Sequence, residues 1–448
     1  MLWRNRISNL KKINIKLKYC NNKKTTSTNF FVECSIYTEK ERHKKMRLSN
    51  VFSPNIVKTI STPVKKQPSF QAKYQDTFEK GLTVKGSETS AKIYTNNVDY
   101  QTIGQIKEFC NHPAFTNTPI RIMPDTHAGV NSVVGFSAPI QTGKVIPNVI
   151  GGDIGCGMLC VKFDPKGQEL DFKELDSVIR KYISTSHSAT PSSLKKVPSK
   201  FLETASDLCK HKYKKSPEKV LSTLGTLGGG NHFIEIDKDA NGDHYLVIHT
   251  GSRHFGKEVA NYHQGVANQQ NPYKIKDLSY LTGSEAKEYL EDLKIAAEYS
   301  RANRRVIADE ILNRMGWKEV NSFESIHNYI SDDGIIRKGA ICADEGTKLI
   351  IPLNMRDGAI IGTGKGNPEW NNTAPHGSGR QYKRSAAADF ISFEEYKKSM
   401  EGIYSSCITE ANIDESPQAY KDSMEIIENI SDTVDVQDLI APVFNFKD

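Results

Sequence analysis

Apolar residues cluster in segments whose composition and spacing predict strands at three places after residue 90. Residues 145–163 are rich in Val, Ile and Gly and predict a buried strand followed by a turn. Leu246-Val247-Ile248-His249 predicts a second strand that ends at a histidine. The residues of 443–447 predict a third strand near the end of the chain. The domain that contains these segments is therefore expected to include buried β-structure.

Three other segments predict helices. Between Phe172 and Ile183, apolar residues recur at helical spacing. A long helix is predicted over 285–315, with Ser284 as its N-cap and Gly316 as its stop. Ser416-Pro417 predicts the start of a late helix, because proline is favoured at the first helical position. Without an internal repeat or a low-complexity linker, residues 91–448 are predicted to form one continuous domain of mixed α and β structure.

Charge is distributed unevenly along the 448 residues, whose net charge is +7. Residues 1–90 hold 19 Lys or Arg against 6 Asp or Glu, so the remainder carries a net charge of −6. A nucleic-acid surface after residue 90 therefore has to be a local patch or depend on bound metal ions. The eight cysteines are irregularly spaced, which favours free thiols, and no apolar run approaches the length of a membrane span.

Residues 1–90 are interpreted as a basic N-terminal extension that is predicted to be disordered. Its acidic residues begin only at Glu33, and apolar residues near the start are spaced so that they could line one face of a helix: Trp3, Ile7, Leu10 and Leu17. This pattern resembles a mitochondrial presequence. A basic tail, or an upstream extension with Met46 as the true start, explains it equally well, so both a cytoplasmic and a mitochondrial location remain open.

Several metal-type ligands lie beside glycines, which allow close backbone approach to a bound group. These candidates are a carboxylate, a thiol and three imidazoles: Asp153, Cys156, His232, His249 and His327. Each alone has an ordinary explanation, since a buried cysteine usually acts as a small hydrophobe. Their co-occurrence favours a metal centre, and mixed S, N and O ligation fits Zn, Mn, Fe or Co.

His376-Gly377-Ser378-Gly379-Arg380 places an imidazole at the head of a glycine-rich loop followed by a guanidinium. Glycine-rich runs of backbone N–H groups bind phosphate, and arginine adds bidentate contacts. A neutral histidine in such a loop can attack phosphorus and form a covalent phosphoramidate. The alternative is a loop with a solvent-exposed histidine, because this short pattern alone is weakly specific.

At these residues the chain resembles the RtcB family of RNA-splicing and RNA-repair ligases. The resemblance covers roughly residues 91–448. It rests on an ordered series of short segments, namely 123–127, 152–157, 230–235, 249–253, 327–329, 337–340, 376–380 and 419–422, together with Lys447. It implies an α+β fold, a single catalytic domain with stacked β-sheets and surrounding helices.

The resemblance implies a GTP- and Mn²⁺-dependent 3′-phosphate/5′-hydroxy nucleic acid ligase. Such an enzyme joins an RNA 3′-phosphate or 2′,3′-cyclic phosphate to a 5′-hydroxyl, in RNA repair or tRNA splicing. Asp153, Cys156 and His232 would hold one Mn²⁺. Cys156, His249 and His327 would hold the second, and His376 would become guanylylated. An archease-type activator is a further partner that the family suggests.

The resemblance also implies which residues line the GTP site and hold phosphates. The residues expected around GTP are Asn231, His232, Phe233, Ile234, Glu235, His327, Asn328, Pro352, Leu353, Asn354, Met355, His376, Gly377, Ser378, Gly379 and Lys447. Arg253 and Arg380 are expected to hold phosphates or RNA. The loop 352–355 and Ala359 depart from the family pattern, which puts nucleotide preference in question and points to a divergent branch of the family.

Two other functions remain open from the sequence. A metal-dependent 2′,3′-cyclic phosphodiesterase without ligation needs the metal ligands but not His376. A non-catalytic RNA-binding relative needs neither, although the intact ligand set disfavours it.

Overall fold

The computed structural model describes residues 81–183 and 195–447, together with the backbone of 13–15 and 34–36. The chain divides into two compact units, residues 1–77 and 78–448. In the first unit, β1 (Ile13–Ile15) pairs antiparallel with β2 (Cys34–Ile36). β1 lies inside the segment whose spacing suggested a helix. The residues that carried that spacing, Trp3, Ile7, Leu10 and Leu17, lie outside the described residues. So do most of the residues of the extension that was predicted to be disordered.

The second unit contains both helices and sheets, so the expected α+β class is confirmed. Its strands are β3 (Leu82–Lys85), β4 (Ser90–Ile93), β5 (Ile120–His127), β6 (Val134–Pro139), β7 (Gly157–Asp164), β8 (Phe233–Lys238), β9 (His244–Thr250), β10 (Lys318–Ile326), β11 (Asn328–Ile330), β12 (Ile335–Lys338), β13 (Ala340–Cys342), β14 (Lys348–Asn354), β15 (Gly358–Gly364), β16 (Thr373–Pro375) and β17 (Val434–Lys447). Its α-helices are α1 (Tyr100–Cys110), α2 (Pro147–Ile150), α3 (Phe172–Tyr182), α4 (Ser199–Asp207), α5 (Pro217–Leu221), α6 (Arg253–Gln270), α7 (Gly283–Met315), α8 (Phe393–Ser399) and α9 (Ser423–Asn429). Short 3₁₀ helices span Pro113–Phe115, Lys276–Leu278, Pro368–Trp370, Arg384–Asp389, Glu410–Glu415 and Pro417–Ala419, and a π-helix spans Leu208–Lys212.

A seven-stranded antiparallel sheet forms the centre of the unit, in the order β10-β7-β9-β8-β17-β15-β14. The sheet curls so that its two outer strands approach, and Ile350 N on β14 donates to Ser325 Oγ on β10 at 3.0 Å. Alternate residues point to opposite faces. Ile234 and Ile248 on one face pack with α3 and α7, whereas Val247 points into the cluster enclosed by the curl.

A second, six-stranded sheet has the order β11-β12-β6-β5-β4-β3, and β4 and β5 run parallel within it. β3 belongs to this sheet, so the folded unit extends N-terminal to the expected boundary at residue 91. The largest apolar cluster lies between this sheet and helices α1, α6 and α7, and includes Phe109, Phe136 and Tyr289.

Most of the expected elements are present, with three corrections. The segment 145–163 begins with the short helix α2 before β7, because Pro147 is favoured in a first helical turn. Helix α7 begins at Gly283 with Thr282 rather than Ser284 at the N-cap, and it ends at Gly316, whose φ is 69° as predicted for a glycine stop. Ser416-Pro417 opens only a 3₁₀ turn of three residues, since Tyr420 after it is extended.

Candidate active site

Antiparallel register brings three ligand candidates from distant parts of the chain to one end of the seven-stranded sheet. Gly157, the first residue of β7, pairs with Thr250 at the end of β9 and with Ile326 at the end of β10. Each pairing places a neighbouring residue, Cys156, His249 or His327, at the same edge. The His327 N–H also donates to Cys156 O at 2.9 Å.

The fourth ligand candidate, His232, is positioned by the same register. Phe233, the first residue of β8, pairs with His249, so His232 lies just beyond the same sheet edge. Cys156 Sγ is 3.5 Å from His232 Nε2 and 3.3 Å from His249 Nε2. His249 Nε2 is 3.4 Å from His327 Nε2. The predicted ligands therefore form two groups that share Cys156: Asp153, Cys156 and His232, and Cys156, His249 and His327.

The hydrogen bonds of the imidazoles fit metal ligation. His232 Nδ1 is 3.0 Å from Leu227 O, and His249 Nδ1 is 2.9 Å from Asn231 O. A carbonyl accepts only, so both Nδ1 atoms carry the proton and both Nε2 atoms present lone pairs toward the thiol. Lone pairs that face one another repel unless a cation lies between them. The donor set thus fits a pair of divalent transition-metal ions.

Burial sets the protonation of the group. It lowers the pKa values of His249 and His327 well below the ordinary value, which keeps both rings neutral. Burial, followed by the charge of Asp153, raises the pKa of the Cys156 thiol well above its usual range. Burial acts to raise the pKa of Asp153 as well, but the neighbouring His232, whose Nε2 lies 3.3 Å from Asp153 Oδ2, lowers it overall. A bound cation would remove the thiol proton.

Helix α7 fixes the backbone around these ligands through three polar residues on its buried face. Arg304, which is fully buried, donates from Nη1 to Gly155 O at 2.8 Å and to Thr250 O at 2.9 Å. Ser300 Oγ donates to Ile154 O at 2.6 Å, and Asn303 Nδ2 donates to Gly251 O at 3.2 Å. Sequence reasoning missed them. Their spacing of three and four residues within the buried stripe was the available signal.

His376 lies beside the metal-ligand group. Its ring centroid is 4.7 Å from that of His327. Its Nδ1 is 2.6 Å from Asp125 Oδ2, a fully buried carboxylate at the end of β5. The carboxylate can accept only, so Nδ1 carries the proton and Nε2 keeps its lone pair. Asp125 had no assigned role in the sequence-based prediction.

Two glycines allow the loops to approach this closely. A Cβ on Gly251 would lie 2.1 Å from Asp153 Oδ1. Gly379, whose φ is 74°, would place a Cβ 2.0 Å from Asp125 O. Any larger residue at either position would push the metal-ligand turn or the His376 loop away from the site.

Comparisons with known proteins agree with this geometry. A family model described as tRNA-splicing ligase RtcB matches residues 105–448. The RNA-splicing ligase RtcB of Escherichia coli (strain K12) is 30% identical over 359 residues, which cover 71% of this chain and 87% of that protein. The tRNA-splicing ligase RtcB of Methanococcus maripaludis is 26% identical over 465 residues, covering 84% and 95% of the two chains. This chain is a member of the RtcB family.

Three of the residues that the RtcB resemblance assigns to GTP lie close together near the metal-ligand group. Lys447 Nζ lies 5.6 Å from the centre of the Phe233 ring, which is itself 5.4 Å from the His249 ring. Glu235 is buried next to them, where Asn445 Nδ2 donates to its carboxyl at 2.6 Å. Burial raises the pKa of Glu235 to about 7. The Lys447 ammonium also pairs with the buried Glu415 at 2.6 Å. The apolar ring and the polar groups beside it suit a flat base with polar edges.

Other residues expected at the GTP site make contacts within the protein. Asn328 bridges the ligand loops, since its Nδ2 donates to Asp153 O at 3.1 Å and its Oδ1 accepts from Gly339 N at 3.0 Å. Ser378 Oγ donates to Leu353 O, which ties the His376 loop to the strand 352–354. The side chains of Ile234 and Leu353 pack in apolar clusters, so only their backbone atoms can face a nucleotide.

The rest of the expected set is farther along the same loops. Asn354 Nδ2 donates to Asp357 at 2.8 Å, and Met355 packs against Tyr396. Arg380 donates to Asp414 O at 2.6 Å and pairs with Glu415, so the structure uses its guanidinium inside the protein rather than presenting it to a phosphate. Arg253 begins α6 with a positive φ of 51° and donates to Thr226 Oγ1 at 3.2 Å.

Across the described part of the chain, no helix combines the length and the apolar character that a membrane crossing needs. The six cysteines whose side chains are described are all free thiols, as their spacing predicted.

Proposed function

We propose that this RtcB-family chain is an RNA ligase that uses GTP and manganese to join a 3′-phosphate or 2′,3′-cyclic phosphate end to a 5′-hydroxyl end. The names of its relatives support the RNA-ligase function, and the site supports the finer chemistry. One observation carries the proposal. A thiol shared by two groups of metal-type ligands lies beside an imidazole whose Nδ1 is held by a carboxylate.

The first step in this proposal is the transfer of GMP to His376. Asp125 holds the Nδ1 proton, so the Nε2 lone pair attacks the α-phosphorus of GTP, and pyrophosphate leaves as the N–P bond forms. Manganese ions held by Asp153, Cys156 and His232 and by Cys156, His249 and His327 would offset the charge that develops on the phosphate oxygens. Phe233, Glu235 and Lys447 would hold the base.

The second step passes GMP from His376 to the RNA. An oxygen of the RNA 3′-phosphate attacks the phosphorus, and the bond to Nε2 breaks. The 5′-hydroxyl of the other RNA end then attacks the activated 3′-phosphate, its proton is lost to a base, and GMP leaves. A 2′,3′-cyclic phosphate must first be opened by water to give the 3′-phosphate.

Incubation with Mn²⁺ and GTP labelled at the α-phosphate tests the proposal. The wild-type chain is expected to become covalently labelled, and His376→Ala to remain unlabelled. His244→Ala is the matched control, because His244 lies on the same strand as His249 but at its opposite end. No covalent label on the wild-type chain, with or without an archease-type activator, would contradict the ligase mechanism.

The same two variants separate the alternatives. A metal-dependent phosphodiesterase would open 2′,3′-cyclic phosphates equally well with and without His376 and would take no label. A non-catalytic relative would do neither and would not bind Mn²⁺ at the Cys156 groups.

A further inference from the structure

A basic surface lies on the helical segment that leads into the candidate site. Residues 195–219 hold eight lysines and three acidic residues, within a region after residue 90 whose net charge is −6. At the end of this segment Lys215 is exposed but paired with Glu258, and four further basic side chains are exposed: Lys210, His211, Lys214 and Lys219. They are called the lysine surface below.

The lysines of this surface are not in direct contact with carboxylates in the described part of the chain. Among the described residues, Lys210, Lys214 and Lys219 form no ion pair within 4 Å, whereas Lys212 and Lys215 on the same segment do. Most of the excess positive charge therefore faces solvent. Such a surface attracts polyanions over a distance of about one Debye length, roughly 8 Å at physiological salt.

The backbone of this segment is unusual. Leu208–Lys212 form a π-helix, a rare conformation that often occurs at functional sites. Lys214 follows with a φ of 55°, a conformation that costs a non-glycine residue on the order of 1 kcal/mol. The chain folds back here, since Lys215 N donates to Cys209 O at 2.9 Å, and α5 with Lys219 follows directly.

A series of contacts connects the segment that carries the lysine surface to the turn before Asp153. Lys215 Nζ pairs at 3.2 Å with Glu258 on α6. Lys257, the preceding residue, packs against Gly152, since a Cβ there would lie 3.4 Å from the Lys257 Cα. Gly152 precedes Asp153. Along the sequence, the residues that follow the end of α5 at Leu221 lead to Asn231 and His232.

We propose that the lysine surface binds the phosphate backbone of an RNA strand whose end is joined at the Cys156 groups. The bound phosphates are some nucleotides away from that end. This inference rests on the proposed RNA-ligase function. Polar residues near the metal groups, such as Asn328 and Arg380, already make contacts within the protein. The only aromatic residue of 208–219, Tyr213, is buried, so the surface binds backbone rather than stacked bases and shows no sequence preference.

A triple charge reversal, Lys210→Glu, Lys214→Glu and Lys219→Glu, tests the proposal. A second triple variant, Lys166→Glu, Lys173→Glu and Lys318→Glu, is the matched control. Those lysines are also exposed, and Lys166, like Lys214, has a positive φ, of 56°. Lys318 is the strand partner of Asp164, which lies at the end of β7 farthest from Cys156. Both variants change the net charge equally.

The probes are two fluorescent RNAs with 3′-phosphate ends, one about 20 nucleotides long and one of about 4. Fluorescence anisotropy gives Kd at several salt concentrations, and GTP labelling of His376 is measured in parallel. The lysine-surface variant is expected to bind the long RNA at least tenfold more weakly. The slope of log Kd against log salt should fall by about 2, because each phosphate contact on a single strand contributes roughly 0.7. The short RNA and the label should be unaffected.

The results separate this inference from the proposed function. Equal losses in the two variants, or an unchanged Kd for the long RNA, would overturn the lysine surface as an RNA site even if His376 is labelled. Binding of poly-glutamate but not of RNA through these lysines would also overturn it. If His376 takes no label, the ligase proposal fails. The comparison of RNA binding between the two triple variants still tests the lysine surface in that case.

Discussion

Asp125 Oδ2 lies 2.6 Å from His376 Nδ1, although the two residues are 251 positions apart in the chain. The same oxygen also accepts from the backbone N–H groups of His376 at 3.2 Å and Gly377 at 3.3 Å. One buried carboxylate thus orients the ring and the loop that carries it. This relationship gives His376 a defined tautomer before any nucleotide binds.

We predict that Asp125→Asn will lose most of the covalent labelling of His376. The amide can donate to Nδ1 and so favour the tautomer whose Nε2 carries the proton, and that nitrogen cannot attack phosphorus. In a comparable carboxylate–imidazole pair this change costs about 10⁴-fold in rate. The rate of label incorporation at saturating GTP measures the loss. A variant that labels at the wild-type rate while still binding Mn²⁺ would contradict this role.

The ligand candidates could be predicted from the sequence, whereas the residues that hold them in place could not. His249 and Cys156 were recognisable because each stands beside glycine at the boundary of an apolar strand. Their convergence follows from antiparallel register, which a short-range pattern does not contain. The resemblance to a family supplied that missing link.

Asp125, Arg304 and Lys421 show what the sequence alone could not give. Each acts through backbone or ring atoms of a residue more than 100 positions away, so no local spacing marks it. For Arg380 the local pattern and the structure differ. Its place in a glycine-rich loop suggested that it binds phosphate, but its guanidinium pairs with the buried Glu415. A local sequence pattern predicts which residues lie near a turn, but it does not predict which neighbouring residue each side chain contacts.

Cys156 belongs to both ligand groups, so Cys156→Ala is predicted to remove both metal sites together. His249→Ala should leave one Mn²⁺ per chain, because the Asp153, Cys156 and His232 group stays intact. Elemental analysis after dialysis against a known Mn²⁺ concentration measures the stoichiometry. Cys160→Ala is the control, since Cys160 is also fully buried on β7 but belongs to neither group. Two ions retained in Cys156→Ala would disprove the shared thiolate.

Metal binding is predicted to tighten as pH rises. Burial raises the pKa of the Cys156 thiol well above neutrality, so the metal-free thiol is protonated and must release its proton when it ligates an ion. For one proton released, Kd should fall about tenfold per pH unit below that pKa. Calorimetry in buffers of different ionisation enthalpy counts the protons. A Kd for Mn²⁺ that is constant between pH 6 and pH 8 would argue against thiolate ligation.

Glu415 is predicted to stabilise the fold at neutral pH and to lose that effect in acid. Burial acts against its charge, but Lys447, Arg380 and Arg384 lower its pKa from 4.5 to about 2. A folded-state pKa below the unfolded one means that the stabilisation is complete above about pH 4.5 and declines as the pH falls toward 2. Glu415→Gln leaves buried cations without their counter-ion, at a cost of about 3–5 kcal/mol at pH 7. Urea unfolding at pH 7 and pH 3 should show the difference between wild type and variant shrinking in acid.

Lys421 is predicted to act on His376 through Asp125. Its ammonium donates to three backbone carbonyls, those of Asn97 at 2.8 Å, Pro124 at 3.0 Å and Thr126 at 2.9 Å, so it fixes the strand on both sides of Asp125. Burial lowers the pKa of Lys421, and the charge of Asp125 is the largest opposing influence. Removing the ammonium should therefore let the carboxylate shift and slow the labelling of His376.

A double-mutant cycle separates this positioning effect from a general loss of stability. If Lys421 works through Asp125, Lys421→Met should add little to the rate loss of Asp125→Asn, because the contact that it supports is already gone. Lys212→Met supplies the control, since Lys212 is also largely buried but pairs at 2.5 Å with Asp292 in a separate cluster. Its effect on labelling should be small and should add to that of Asp125→Asn. Additive rate losses for Lys421→Met would mean that Lys421 supports the fold without directing the nucleophile.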